Sequence, residues 1–341
     1  MKTADFVVKI ANPYFPLPQD NQTPSENFLH QAMEYAFKKK VFPLFYEGCL
    51  KNQINLTKEA QDLMAQFRLR REKQIEAAKL LVDIQEQYGI ELFFFKTFRP
   101  FNYIPDDIDL LLRDEGSINF LIDILKKEGY FVYNVGTPEV GLRKIEDGVF
   151  VDLDVHKHLA VGSLDLFNVE SLWGNRAFEI VDLGDGYKIL KLSEDYEVVR
   201  EAAYSLLKDF NLSIAGLYLG INALANRNIA ATEKIAYEHN FTLHLRLYLD
   251  AVYSAACRLF GSEADKQLRY RRKDTHFLLK LNRNFTVPYP YPVPAIVYAY
   301  MSKAILEINR SKNTAVIPQI MKQPASKGVS VLLNYAREYS N

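Results

Sequence analysis

Between residues 25 and 88 the apolar residues recur at helical spacing, and most positions between them are polar or charged. Ala60, Leu63 and Phe67 form one such stripe, which is typical of a helix with one buried side. We predict a helical N-terminal part, residues 1–89. Its expected helix boundaries are marked by two capping residues and one glycine: Ser25, Thr57 and Gly89.

The pattern changes at residue 90, where short apolar runs replace the long helical one. Residues 90–96 and the segment "DIDLLL" suit buried strands, and "INFLIDILKKEG" suits a helix. Three further strands are expected at "YFVYNV", "GLRKIE" and "VFVDLDVH". The dipeptide Asp147-Gly148 predicts a tight hairpin between the last two, and "FEIVDLGDGYKILKL" predicts another hairpin.

From Ser193 onward the pattern is helical again, except for "VPYPYPVP" at 287–294, which predicts an extended connector. The chain is therefore expected to be α+β. A mixed β-sheet core, residues 90–192, would be flanked by the helical N-terminal part and by a helical C-terminal domain, residues 193–341.

Two of the predicted strands carry acids on one face and aliphatic side chains on the other. Because side chains alternate along a strand, Asp107 and Asp109 share one face of the earlier strand. Asp152, Asp154 and His156 share one face of the later strand. The two strands together offer an acidic surface backed by an apolar one.

Crowded carboxylates repel one another unless a cation lies between them. Acids on adjacent strands form an oxygen site suited to Mg²⁺ or Mn²⁺, and two metals about 4 Å apart can clamp both oxygens of a phosphoryl transfer. A lone Asp-x-Asp usually marks a solvated strand end, so the second acidic strand is what favours a metal site. Without metal, loss of a charge at Asp107 or Asp109 is expected to leave stability unchanged or slightly raised. Asp106 has the apolar parity and is expected at a turn or strand entry.

Composition narrows the class of protein. The 341 residues allow two or three domains, and 48% hydrophobic with 25% charged residues is ordinary for a globular chain. The formal net charge is zero, so no overall field attracts nucleic acid or an anionic membrane. No apolar run is long enough for a signal peptide or a membrane span, and we expect a cytoplasmic protein with no membrane partner. Cys49 and Cys257 are expected as buried free thiols.

Two basic clusters, residues 67–73 and 268–274, have the composition of solvated helix faces. The second interleaves Tyr270 with basic side chains, so it is the expected contact if the protein binds RNA. The residues that would carry this contact are Arg269, Arg271 and Arg272.

Three single residues lie near the acidic strands. His156 continues the acidic face, where it could orient a carboxylate, contact a substrate or make a structural hydrogen bond. His158, past the expected strand end, and Trp173, beside the second hairpin, are expected to be structural.

Four stretches are similar to motifs of a known family: "FFFKTFRPFNYIPDDIDLLL", "KKEGYFVY", "VDLDVH" and "LKLSEDYEVV". On these, residues 30–215 resemble the uncharacterised nucleotidyltransferase family of the polymerase-beta-like nucleotidyltransferase superfamily. The resemblance implies a nucleotidyltransferase-type mixed β-sheet core. It also implies that Asp107 and Asp109 bind metals and that Asp154 is the third carboxylate, with Asp152 as the alternative.

The same resemblance places the nucleotide at the end of the first strand. Lys96 occupies the position of the family's lysine, with Thr97 beside it, and Arg99 is the substitute for an arginine that often precedes the Asp-Ile-Asp. These three residues would contact the NTP. Thr97 stands where the family has glycine, which lets backbone amides approach a triphosphate, so this departure bears on nucleotide binding.

The function implied is metal-dependent transfer of a nucleoside monophosphate (NMP) from an NTP to a hydroxyl acceptor, with Mg²⁺ or Mn²⁺ as cofactor. The acceptor could be a small molecule, a protein side chain or an RNA end. A catalytically silent relative that binds a nucleotide or a partner is the alternative, and an Asp-x-Asp glycosyltransferase is a weaker one.

Overall fold

The described N-terminal residues form four helices. The structure, a computed structural model, describes residues 2–16, 24–136, 139–161, 164–175, 177–226, 229–268, 270, 279 and 287–311. The helices are α1 (Thr3–Ile10), α2 (Glu26–Lys38), α3 (Phe42–Lys51) and α4 (Lys58–Tyr88). The predicted boundaries of α2 and α4 are confirmed, because Ser25 and Thr57 cap the two helices and Gly89 ends α4 with a φ of 67°. The sequence pattern did not predict α1.

A seven-stranded sheet follows, in the order β3-β4-β5-β2-β1-β9-β8. Its strands are β1 (Leu92–Phe95), β2 (Asp107–Leu112), β3 (Phe131–Val135), β4 (Glu139–Glu146), β5 (Val149–His156), β8 (Phe178–Gly184) and β9 (Tyr187–Leu192). β2 pairs parallel with β5 and β1 pairs parallel with β9, whereas the other pairs are antiparallel. β6 (Ala160–Val161) and β7 (Leu164–Asp165) form a separate short ribbon. The predicted α+β class with a mixed sheet between helices is confirmed.

One face of the sheet is covered by α4 and by α5 (Ser117–Lys127). Ile108, Leu110 and Leu112 of β2 lie in this apolar layer, together with Leu81 of α4 and Leu121 of α5. Burial of such aliphatic side chains stabilises the layer, at about 1.5–3 kcal/mol for each one fully buried. Because alternate side chains point the opposite way, the acids of β2 and β5 lie on the other face.

Both predicted hairpins are present. Asp147 and Gly148 take positive φ values of 50° and 79° and join β4 to β5, so that Glu146 pairs with Val149. β8 and β9 form the second hairpin. Trp173 packs against Phe178 at 4.6 Å between ring centroids, as expected of a residue that packs this hairpin.

α6 (Val169–Gly174) lies between β7 and β8. The described residues of the C-terminal part are mainly helical. Its elements are α7 (Glu194–Leu207), α8 (Ile214–Asn226), α9 (Ile229–Glu238), α10 (Thr242–Phe260), α11 (Ser262–Leu268) and α12 (Val293–Ser311), with β10 (Asn211–Leu212) paired to β11 (Tyr289–Pro290). β11 lies in the predicted extended connector. The domain boundaries at 89 and 192 stay predictions.

Among the helices of the described residues, none combines the length and the apolar character needed to cross a membrane. Neither Cys49 nor Cys257 forms a disulfide, as predicted, although Cys257 is only partly buried. Burial raises the pKa of the Cys49 thiol to about 12, so this cysteine is protonated at neutral pH.

His244 of α10 is fully buried, and neither ring nitrogen has a hydrogen-bond partner among the described residues. Burial, with a smaller effect of Lys303, lowers the pKa of His244 to about 3. The unfolded chain therefore binds a proton here before the folded chain does, and stability is lost as pH falls below the unfolded pKa.

We expect His244→Phe to reduce the dependence of the free energy of unfolding on pH below neutrality. Between about pH 6 and pH 4 the wild type should lose up to about 1.4 kcal/mol per pH unit more than the variant, measured by urea unfolding. His30→Gln, at an exposed site, is the matched control and should keep the wild-type slope. Equal slopes for wild type and His244→Phe would contradict a buried neutral imidazole.

Candidate metal centre

The pairing of β2 with β5 brings the two acidic segments side by side. In this parallel register Asp107 lies beside Asp152 and Asp109 lies beside Asp154. The two strands are distant in sequence, separated by α5 and two further strands, so adjacency depends on the tertiary fold. This register places the acids of β2 and β5 on a common face of the sheet, as predicted.

Asp109, Asp154 and His156 form a group that could hold a metal ion. One ligand atom from each lies within 4.8 Å of the others. Asp109 and His156 are buried, with 2% and 3% of their surface exposed, and Asp154 is half-buried. His156 Nε2 lies 3.0 Å from Asp109 Oδ1, and its Nδ1 lies 3.5 Å from Glu139 Oε2. Carboxylates with one imidazole suit Mn²⁺, and the carboxylates alone suit Mg²⁺, so the donor set fits a divalent cation.

The carboxylates differ in charge state because their neighbours differ. Burial alone would raise the pKa of Asp109, but the charge of Lys96, with a contribution from His156, outweighs it and holds that pKa well below its usual range. Burial and the charge of Asp109 raise the pKa of Asp107. Burial and the charges of Asp107 and Asp109 raise the pKa of Asp154 to about 7. Two of the three carboxylates are thus poorly stabilised as anions, and a bound cation would offset their repulsion.

Asp152 differs from Asp154 in having its own cation. Arg143 of β4 donates from Nε and Nη2 to the two oxygens of Asp152, at 2.7 and 2.6 Å. Such a bidentate pair leaves little charge for a metal. Asp154 has a neutral partner instead: the Tyr133 hydroxyl donates to its Oδ1 at 3.3 Å. The distribution of partners favours Asp154 over Asp152 as a metal ligand.

Lys96 follows β1 and reaches the acids. Its Nζ lies 2.6 Å from Asp109 Oδ1, and its backbone has a positive φ of 60°, which is uncommon for a residue with a side chain. Its backbone N–H donates to Glu197 Oε1 of α7 at 2.6 Å. In this conformation both the ammonium group and the amide of Lys96 are already bonded to carboxylates.

Thr97 is fully buried, and its hydroxyl is used inside the fold. The Asp109 backbone N–H donates to Thr97 Oγ1 at 3.2 Å, and the hydroxyl donates to the Phe95 carbonyl at 3.2 Å. Thr97 therefore holds the end of β1 against β2. In this conformation it presents no exposed atom for the predicted nucleotide contact.

Arg99 lies with Lys96, Lys191 and Glu197 in the lining of a cleft. Only 9% of its side chain is exposed, and Nη2 donates to Glu201 Oε2 at 3.2 Å. Its Nε and Nη1 are buried without a hydrogen-bond partner among the described residues. Buried donors usually have partners, so these two atoms are suited to an incoming anion.

Several residues of the site were not predicted from the sequence: Tyr133, Glu139, Arg143 and Glu197. A signal for two of them exists, because the tight turn pairs Glu146 with Val149. Counting back along that hairpin places Arg143 opposite Asp152 and Glu139 opposite His156. Glu197 has no such signal, since it reaches β1 from a helix.

The remaining predicted residues lie outside this group. Asp106 precedes β2 and pairs with Lys40 at 2.5 Å and with Arg70 at 3.3 Å, consistent with a strand-entry role. His158 is exposed and lies past the end of β5, as expected. The predicted RNA contact of Arg269, Arg271 and Arg272 lies outside the described residues.

Comparisons with known proteins add little to this geometry. No family model matches the chain, and no curated protein is significantly similar to it. A solved structure described as an antigenic nucleotidyltransferase-like protein from Paracoccidioides brasiliensis aligns with 60% of this chain and 95% of its own, at 13% identity and a TM-score of 0.35. A likeness at this level establishes neither a family nor an activity.

Proposed function

We propose that this protein is a metal-dependent nucleotidyltransferase of the polymerase-beta-like superfamily, which transfers an NMP group from an NTP to a hydroxyl acceptor and releases pyrophosphate. The observation that carries the proposal is the convergence of Asp109, Asp154 and His156 within one ligand-sized space, with Asp107 on the same strand as Asp109. Repulsion among these acids supports a cation as the missing partner.

Asp107, Asp109 and Asp154 are the residues proposed to hold Mg²⁺ or Mn²⁺, with His156 as a further donor. When bound, such ions neutralise charge on the phosphates and activate the acceptor hydroxyl. Lys96 is proposed to exchange its bond to Asp109 for an NTP phosphate, which is supported by its position in the lining of the cleft. The free donors of Arg99 would bind a second phosphate oxygen.

A catalytically silent relative is the second candidate, and a specific observation favours it. Glu197 takes the Lys96 amide that a phosphate would use, and Thr97 replaces the small residue that would let a triphosphate approach. A protein that binds NTP and metal but transfers nothing would fit this candidate.

The test is incubation of the pure protein with each α-³²P-labelled NTP and Mg²⁺ or Mn²⁺, against RNA, protein and metabolite pools. Label transferred to one pool, together with pyrophosphate release, would support the proposal and identify the acceptor class. A labelled sugar nucleotide is added as a separate arm, and sugar transfer there without NMP transfer would favour the glycosyltransferase alternative. The Asp109→Asn variant is the negative control.

We expect NTP binding to depend on the metal. Triphosphate and the unneutralised carboxylates repel each other, so removal of divalent ions by EDTA should weaken NTP affinity at least about tenfold, or about 1.4 kcal/mol, in calorimetry. Equal affinity with and without metal would contradict the metal centre. The Asp106→Asn variant should keep the wild-type metal dependence, since Asp106 is paired elsewhere.

A further inference from the structure

β3 is one of the two edge strands of the seven-stranded sheet, and its side chains are exposed and uncharged. All five of its residues are exposed, and the segment "FVYNV" contains no charge. Val135 has 74% of its surface exposed. An uncharged edge strand offers unpaired backbone groups and apolar side chains to another strand, and soluble proteins usually block such an edge.

The opposite edge of the same sheet, β8, carries charged side chains. β8 carries Glu179, which pairs with Lys191 at 2.6 Å, and Asp182. Both edge strands also contain a register shift against their inner neighbour, so an irregular ladder does not distinguish them. The two edge strands differ in charge, because β8 carries two acids and β3 carries no charged residue.

We propose that β3 pairs antiparallel with β3 of a second copy of this chain. A two-fold axis near Tyr133 would set Phe131 of each copy opposite Val135 of the other, an aromatic pair with a β-branched residue. This pairing brings no like charges together and satisfies both edges at once. Pairing of β3 with the charged β8 of another copy would instead place acids at an apolar edge and leave an open chain of molecules.

The interface would adjoin the candidate metal centre. Tyr133, in the middle of β3, donates its hydroxyl to Asp154. Its ring lies over Gly141 of β4, where an added Cβ would come within 2.8 Å of the ring. A second strand beside β3 would therefore hold the strand that positions Tyr133. The dimer does not rest on the proposed activity, and its test measures mass alone.

Sedimentation velocity and light scattering on the full chain across a range of concentrations test the proposal. The wild type should form a dimer, and Val135→Lys should weaken it at least about tenfold by burying a charge at the new strand pair. Ile180→Lys on β8, where 68% of the residue is exposed, is the matched control and should leave the dimer intact.

A charge pair tests the register. Phe131→Asp alone should also weaken the dimer, whereas a mixture of Phe131→Asp and Val135→Lys chains should form heterodimers, since each acid then faces a lysine. A wild type that is monomeric at every concentration would overturn the proposal. A dimer that survives Val135→Lys would also overturn it, and so would a dimer that Ile180→Lys weakens as much as Val135→Lys does. Failure of the mixed Phe131→Asp and Val135→Lys chains to associate would contradict the proposed register. Far-UV circular dichroism spectra that match the wild type will show that the variants fold, because melting temperatures also respond to loss of the dimer.

Discussion

Asp109→Asn is expected to reduce NTP turnover by orders of magnitude and also to lower the free energy of unfolding of the metal-free protein. Turnover should fall because the buried carboxylate is central to the proposed metal site. Stability should fall because Lys96, whose Nζ lies 2.6 Å from Asp109 Oδ1, loses its negative counter-charge. Breaking one side of such a pair costs about 2–4 kcal/mol, since Lys96 keeps some access to water.

This expected loss reverses what the sequence alone predicts for Asp109, namely unchanged or slightly raised stability. The reversal has a physical cause: the strand pattern reveals the crowded acids but not the ammonium group that compensates one of them. Lys96→Met combined with Asp109→Asn should recover part of the stability, because both charges are then removed. Chemical unfolding of the two single variants and the double variant measures this coupling. A fully additive result would contradict the Lys96–Asp109 pair.

Asp154→Asn is expected to reduce turnover as strongly but to raise metal-free stability. At pH 8 Asp154 is ionised in both states, and in the folded state burial and the charges of Asp107 and Asp109 raise its pKa to about 7. Removing the charge should stabilise the fold by about 1–3 kcal/mol, less than the full shift because the side chain is half-exposed. The gain should shrink as pH falls toward 4, where the folded wild type holds its proton and the unfolded chain gains one.

Asp152→Asn is the matched control, because Asp152 lies two residues before Asp154 on the same face of β5. It leaves Arg143 without its bidentate partner, so it should destabilise the protein and change the response to Mn²⁺ little. Thermal melts with and without Mn²⁺, beside the turnover assay, separate the two variants. If Asp152→Asn rather than Asp154→Asn removed the Mn²⁺ response, the assignment of the third carboxylate would be wrong.

The local features of this protein were legible from its sequence. The caps at Ser25 and Thr57, the turn at Asp147-Gly148 and the alternation in "DIDLLL" each depend on residues close together in the chain, and each is present in the structure. The alternation also determined that Asp107 and Asp109 share a face. The α+β class followed from the same patterns.

Apart from the pair of Arg143 with Asp152, which the hairpin register indicates, the partners of the acids were decided by the tertiary structure. Asp109 meets Lys96 because β1 pairs with β2, and Asp154 meets only the Tyr133 hydroxyl because β3 lies beside β4. The charge of a buried group is set by neighbours within a few ångströms, and alternation along one strand carries no information about them. Asp109, Asp152 and Asp154 are therefore alike in the alternation of their strands and distinct in the fold.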